Sequence, residues 1–284
     1  MCLKKNKLFF FKFKSLTKRF LHKNMNEKIL TTTNLSIGYT TKEKTNFVAE
    51  NINLKLQQGK LIVLVGANGI GKSTLLRTLS GIQKPLSGFV LLNERDIFTY
   101  NPIDLAQNLS LVLTEKLPPS NLTVFELVAL GRQPYTNWIG KLSEEDLNKV
   151  NTAIQLTQIE HLIEKKHCEI SDGQLQKVLI ARALAQDANL IILDEPTTHL
   201  DMMHKFSVFK LLKKLASETN KCILFSTHDI DLALQLADEM IVMSNKKVIQ
   251  DKPSKLISDG VFNNLFEDKS IVFDAIKGKF VMNI

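Results

Sequence analysis

Residues 66–74 read Gly66-Ala67-Asn68-Gly69-Ile70-Gly71-Lys72-Ser73-Thr74, between the apolar run Leu61–Val65 and an apolar-periodic stretch that begins at Leu75-Leu76. Glycines at this G-x-x-x-x-G-K-[S/T] spacing let backbone N–H groups curl around a polyphosphate, while the following helix turns its positive end toward it. Lys72 would reach the β- and γ-phosphates, and Ser73 would hold Mg²⁺. The spacing Gly69-x-Gly71-x-x-Thr74 lacks a third glycine, which argues against a dinucleotide site. A chance Gly-rich turn is the bland alternative, disfavoured by the strand before and the helix after.

A second run, Leu190-Ile191-Ile192-Leu193-Asp194-Glu195, puts two carboxylates at the carboxyl end of a buried strand. Ligands of open α/β sheets bind at that edge, beside the phosphate loop. Asp194 would order the Mg²⁺ shell and Glu195 would activate the attacking water, since phosphoryl transfer needs positioning, charge neutralisation and one base. Two solvated surface acids would not follow four apolar residues. Ser171-Asp172-Gly173-Gln174 precedes a helical pattern from Leu175 to Gln186. Alone it is a capping box, Ser171 with Gln174. Beside two phosphate motifs, the same hydroxyl, glycine N–H and helix N-terminus also make a γ-phosphate grip.

The elements that must hold these groups are legible from period. Residues 29–65 alternate short β-rich runs with turns, as in a small antiparallel sheet. A helix runs from Ser73 to about Gly81, and strand-like runs follow at Phe89–Leu92 and Leu109–Leu113. From 121 to 187 the pattern is helical. Thr123 with Glu126 forms a capping box there, with a Leu122–Leu127 staple, and that helix should stop at Gly131, with Pro134 beyond. Leu190–Leu193, Cys222–Ser226 and Met240–Met243 are short wholly apolar runs, the mark of strands buried on both faces of a parallel sheet. Val208, Leu211, Leu212 and Leu215 stripe one face of an intervening helix. The expectation is an α/β P-loop ATPase core with a parallel sheet, an N-terminal antiparallel β subdomain and an α-helical subdomain inserted near 115–187.

A chain of 284 residues, 44% hydrophobic, can bury a substantial core. Its net charge of +8 is localised, because eight of the 37 basic residues lie in 1–24 with no acid, leaving 29 of each sign in the rest. A nucleic-acid-binding face is therefore not expected. Residues 1–24 read first as a leader ahead of a native start at Met25, with a basic aromatic membrane-surface segment as the alternative and a secretory signal as the poorest fit. The expected divisions are this leader, an ATPase domain over 25–250 and an extension over 251–284. Cys2, Cys168 and Cys222 are far apart, which fits a reducing cytosol. No apolar run reaches the eighteen residues needed to span a bilayer.

With Ile170-Ser171-Asp172-Gly173-Gln174 shortly before the second motif, the chain resembles the ATP-binding cassette family, whose signature is usually LSGGQ; here Asp172 replaces a glycine and adds negative charge. Over residues 29–250 the family's other marks fall in order. Tyr39 stands where the family has an adenine-stacking aromatic, with core packing as its alternative. Thr198-His199-Leu200-Asp201 resembles the loop that couples two sites of a dimer. His228, in Ser226-Thr227-His228-Asp229, resembles the switch histidine that contacts the γ-phosphate; an isolated histidine would more often be structural. Where the family has a glutamine near the metal and the water, this chain has Thr114-Glu115, so the contact passes to Thr114, to Glu115 or to neither. A hydroxyl at Thr114 is the favoured replacement.

The resemblance implies ATP and Mg²⁺ as ligands and a homodimer arranged head to tail, in which Ser171 and Gly173 of one copy complete the site around Lys72 of the other. It implies separate permease subunits, an indirect periplasmic or surface binding protein, and a peripheral place on the cytoplasmic face of the inner membrane. The stretch from Asn121 to Tyr135 resembles importers of ferric siderophores, haem and cobalamin, with a ferric chelate first. An export ATPase is the nearer rival; a soluble cassette ATPase of DNA repair or translation would need more chain than this.

Overall fold

The structure is a computed structural model that describes residues 27–42, 44–113, 118, 120–198, 200–244, 246–265, 271–275 and 277–282. Residues 1–24, Thr114, Glu115 and His199, named above, lie outside that set. Two sheets form the frame. The first is antiparallel and joins β1 (Lys28–Thr40), β2 (Thr45–Ile52), β3 (Lys55–Gln57), β5 (Ser87–Leu92) and β6 (Arg95–Asp96), in the order β2-β1-β5-β6 with β3 also on β1. The second has the order β11-β10-β4-β9-β8-β7. It comprises β4 (Leu61–Gly66), β7 (Leu109–Val112), β8 (Leu190–Leu193), β9 (Cys222–Ser226), β10 (Glu239–Ser244) and β11 (Lys247–Asp251). Its pairings are parallel except β10 with β11.

The continuous apolar runs follow from burial on both faces. Along β4, Leu61, Val63 and Val65 point into one hydrophobic cluster while Ile62 and Leu64 point into a second. The other central strands split likewise: Ile191 with Leu193 and Ile223 with Phe225 on the first side, Leu190 with Ile192 and Cys222 with Leu224 on the second. The second cluster is filled from the antiparallel sheet and from α1 (Lys72–Leu79), through Leu75, Leu76 and Leu79. A short helix, α2 (Pro102–Asn108), leads from that layer into β7. The first cluster is filled by α3 (Val124–Ala129), α4 (Glu144–Thr157), α5 (Asp172–Ala185), α6 (Met202–Thr219) and α7 (Ile230–Leu236). On α6 the expected stripe is present, with Val208, Leu212 and Leu215 buried, and Phe209 meets Phe225 edge-on at 4.9 Å.

The segment after Asp251 packs into this same cluster. Helix α8 (Pro253–Ser258) contributes Leu256, and the hairpin of β12 (Ile271–Asp274) and β13 (Lys279–Met282) contributes Phe273, whose ring lies 4.9 Å from that of Phe262.

The inserted lobe differs from expectation at one point. The capping box at Thr123 and Glu126 is formed, but α3 ends at Ala129 and the chain runs on as a 3₁₀ turn over Leu130–Tyr135, through Pro134. Gly131 is therefore no helix stop. Its missing side chain is required by close packing, since a Cβ there would sit 2.3 Å from the Arg182 carbonyl oxygen of α5. Arg132, next in line, is buried; it pairs with Asp146 of α4 at 2.8 Å, donates to the Ala185 carbonyl at 2.9 Å and lies 3.9 Å over the Tyr135 ring. This enclosed pair ties the three lobe segments together, and removing either member would strand a buried charge.

Candidate functional site

Strand β4 ends at Gly66, and the next five residues turn through Gly69 (φ 74°) and Gly71 (φ 111°) into α1. Gly71 is required twice, by its left-handed backbone and by Val48, whose Cγ1 lies 2.1 Å from where a Cβ would be. The loop and the start of α1 line an open cavity of about 450 Å³, formed by Asn68, Gly69, Gly71, Lys72, Ser73, Thr74, Glu195 and His228. The two sequence motifs are thus brought to one place, together with the histidine at the end of β9. Gly66, Ala67 and Ile70 belong to the loop but are not among the residues that line the cavity. The Lys72 ammonium donates to the carbonyls of Gly66 (3.1 Å) and Ala67 (3.2 Å), and burial pulls its pKa down while Glu195 and Asp194 push it back up.

Asp194 and Glu195 do different work at the end of β8. Asp194 is 7% exposed, and one of its carboxylate oxygens accepts from the Ser226 hydroxyl at 2.7 Å. Glu195 turns into the cavity with a left-handed backbone (φ 47°), a strained conformation for a non-glycine residue. Its amide donates to the Ser226 hydroxyl at 2.8 Å. Its carboxylate lies 3.9 Å from the Lys72 ammonium, accepts from the Thr198 hydroxyl at 3.1 Å, and is 2.8 Å from His228 Nε2. The base candidate is therefore held on three sides. Ser226 was not singled out in the sequence; a lone hydroxyl ending the apolar run Cys222–Phe225, level with β8, was the available signal.

The remaining expected residues are placed as follows. Tyr39 is 47% exposed and bonds through its hydroxyl to the Thr74 hydroxyl at 2.6 Å, so its ring stands at the cavity edge and not in the core. Ser171, Gly173 and Gln174 do not line the cavity of their own chain. Ser171 caps α5: its hydroxyl accepts from the Gln174 backbone amide at 3.3 Å and the Gln174 side-chain oxygen Oε1 accepts from the Ser171 backbone amide at 3.0 Å. Asp172 occupies the first turn of α5, where its charge favours the helix. Asp201 caps α6 and also lies away from the cavity.

The ABC transporter family profile matches residues 49–198. This chain belongs to the ABC transporter family. The cassette is 42% identical over 253 residues to MJ0873, an uncharacterised ABC transporter ATP-binding protein of Methanocaldococcus jannaschii, covering 89% of this chain and 86% of the relative. It is 37% identical to the achromobactin transport ATP-binding protein CbrD of Dickeya dadantii (84% and 87% covered). It is 35% identical to the iron(3+)-hydroxamate import ATP-binding protein FhuC of Bacillus subtilis (88% and 92%). Among solved structures it resembles cbiO1 of Clostridium perfringens, part of the cbiONQ ABC transporter complex, with TM-score 0.72 and 32% identity over 82% of this chain and 92% of that one. It also resembles the dimeric bacterial cassette MJ0796, with TM-score 0.67 and 27% identity over 79% and 98%. The cassette is a nucleotide-binding ATPase with the mixed α/β fold of that family.

The donor set suits a magnesium ion. Ser73 offers a hydroxyl inside the cavity and Asp194 a carboxylate beside it, both hard oxygen ligands, and Mg²⁺ characteristically takes one or two such ligands and completes its shell with phosphates and water. Among the described residues no cluster of three or more His, Cys, Asp or Glu could hold a metal ion. No helix among the described residues is long and apolar enough to cross a membrane.

Proposed function

We propose that the cassette is the ATP-hydrolysing subunit of an importer for an iron chelate, working as a homodimer on the cytoplasmic face of the membrane against separate permease subunits. The observation that carries the catalytic part is Glu195, set between Lys72 and His228 in one cavity with the phosphate loop. ATP lies with its adenine against Tyr39 and its phosphates in the loop 66–74. Lys72 leaves the carbonyls of Gly66 and Ala67 for the β- and γ-phosphates. Ser73 and Asp194 hold Mg²⁺, which when bound neutralises phosphate charge. Glu195 takes the proton of the attacking water, and His228 orients that carboxylate and contacts the γ-phosphate. Ser171, Gly173, Gln174 and Asp201 act on the nucleotide of the second copy, in keeping with the dimeric cassette that the chain resembles. The import direction and the ferric chelate are supported by the iron(3+)-hydroxamate import relative. A surface binding protein would deliver the chelate to the permease.

The test is transport. In proteoliposomes holding the cassette and its permease, with binding protein and ferric hydroxamate outside and ATP inside, uptake is expected and Glu195→Gln should abolish it. ATP-driven efflux of the chelate, or ATPase activity indifferent to the loaded binding protein, would overturn the importer reading.

A further inference from the structure

The residues expected to act on the second copy lie on two separate segments, the start of α5 and the loop before α6, and a third residue joins them. Asp201 caps α6 through Oδ1, which accepts from the His204 amide at 2.9 Å, while its Oδ2 lies 2.8 Å from His204 Nδ1. The two bonds from His204, backbone first and ring second, hold the Asp201 carboxyl below its ordinary range. That carboxylate is ionised and can only accept, so Nδ1 carries the proton and the ring orientation is fixed. Its far edge then lies against Gly173, where a Cβ would meet His204 Cδ2 at 2.8 Å and Cγ at 3.3 Å. Both partners of the contact are more than half exposed, 54% for His204 and 65% for Asp201, so it is poorly suited to stabilising the fold. It is well suited to fixing one segment against the other.

We propose that His204 is a positioning residue that joins the Asp201 loop to the N-terminus of α5, so that both segments meet the second copy's nucleotide as one arm. The inference rests on the two-copy site proposed above. Removing the ring would leave Ser171 and Asp201 intact but free to shift relative to each other, and a displacement near 1 Å is enough to slow a positioned reaction markedly.

Heterodimers test this directly. A chain carrying Ser171→Arg and a chain carrying Lys72→Ala should each be strongly impaired alone, and together they should rebuild one site from the first chain's Lys72 and the second chain's Ser171 arm. His204→Ala on the Lys72→Ala chain, which supplies that arm, is expected to cut turnover about tenfold. The same change on the Ser171→Arg chain should leave turnover within about twofold, because its arm serves the dead site. ATP binding to either monomer should not change. His204→Asn on the arm-supplying chain, whose amide can still donate to Asp201, should recover part of the loss. Equal loss from both placements, or no loss from either, overturns the inference while rebuilt activity keeps the two-copy site. If mixing rebuilds no activity although heterodimers form, the two-copy site falls and the inference with it.

Discussion

Lys72 is 5% exposed and Asp194 7%, each tied to groups on neighbouring strands or loops, whereas Ser171 and Asp201 stand exposed at helix starts and bond within their own turns. The first half-site is assembled by the sheet: β4, β8 and β9 lie side by side, so their carboxyl ends deliver loop, carboxylates and histidine to one cavity without any second chain. The second half is shaped but faces outward. A chain with one half-site built into its sheet and the other presented on its surface has the form expected of a site shared between two copies. Damage to the two halves should therefore differ in kind as well as in size.

The largest effect is expected at Glu195. Glu195→Gln keeps the shape but cannot accept the water's proton, so turnover should fall by a factor on the order of 10²–10⁴ while ATP binding persists and an ATP-bound dimer accumulates on size exclusion. Turnover near wild type would remove Glu195 from the role of base. Ser171→Arg should be next, lowering turnover about a hundredfold through the bulk of the arginine at the second copy's γ-phosphate, with ATP affinity of the monomer unchanged. Were monomer affinity to fall in step with turnover, Ser171 would belong to its own chain's site and the contrast between the halves would collapse.

The half built into the sheet was the more legible in the sequence, for a physical reason. Strands buried on both faces leave long apolar runs, and the residue that ends each run marks the ligand edge, as at Gly66, Asp194 and Ser226. What could not be read was lateral. Nothing in the sequence says that Ser226 bonds both Asp194 and the Glu195 amide, or that His204 reaches Gly173, because these contacts join residues far apart in the chain. Gly131 was misread for a related reason: a helix-ending glycine and a packing glycine look alike until the neighbouring helix is in place. The position of Thr114 and Glu115, where the family's glutamine is replaced, lies outside the described residues, and Thr114→Val against Glu115→Gln remains the way to find which of the two, if either, serves the metal.

Ser226 gives a smaller, sharper test of the half built into the sheet. Ser226→Ala removes the donor to Asp194 and the acceptor for the Glu195 amide, and leaves that strained backbone less firmly held. A loss of about 1–3 kcal/mol in transition-state stabilisation is expected, roughly five- to 150-fold in kcat. The Mg²⁺ concentration needed for half-maximal activity should rise with it, because Asp194 is the proposed ligand. A loss of kcat with unchanged Mg²⁺ dependence would assign Ser226 to Glu195 alone.

The smallest expected effect separates the helix starts themselves. Helix α3 begins with Thr123 and Glu126, and α5 with Ser171 and Gln174, both as reciprocal capping boxes, but only in the first does the side chain that reaches back to the cap titrate. Glu126 is held below its ordinary value of 4.5, first by the Thr123 amide and then by the Thr123 hydroxyl. A carboxyl whose pKa is lower in the folded state stabilises the fold above its unfolded value and loses that contribution as pH falls through the folded one. Between pH 6 and about 3, hydrogen exchange corrected for the intrinsic rate should therefore show the Glu126 amide losing protection, while the Gln174 amide keeps its own. Glu126→Gln retains an acceptor but no charge, so the Glu126 position should become insensitive to pH over the same window. If instead the Gln174 amide opens together with Glu126, and Glu126→Gln changes nothing, acid acts on the lobe as a whole and the α3 carboxylate has no separate part in it.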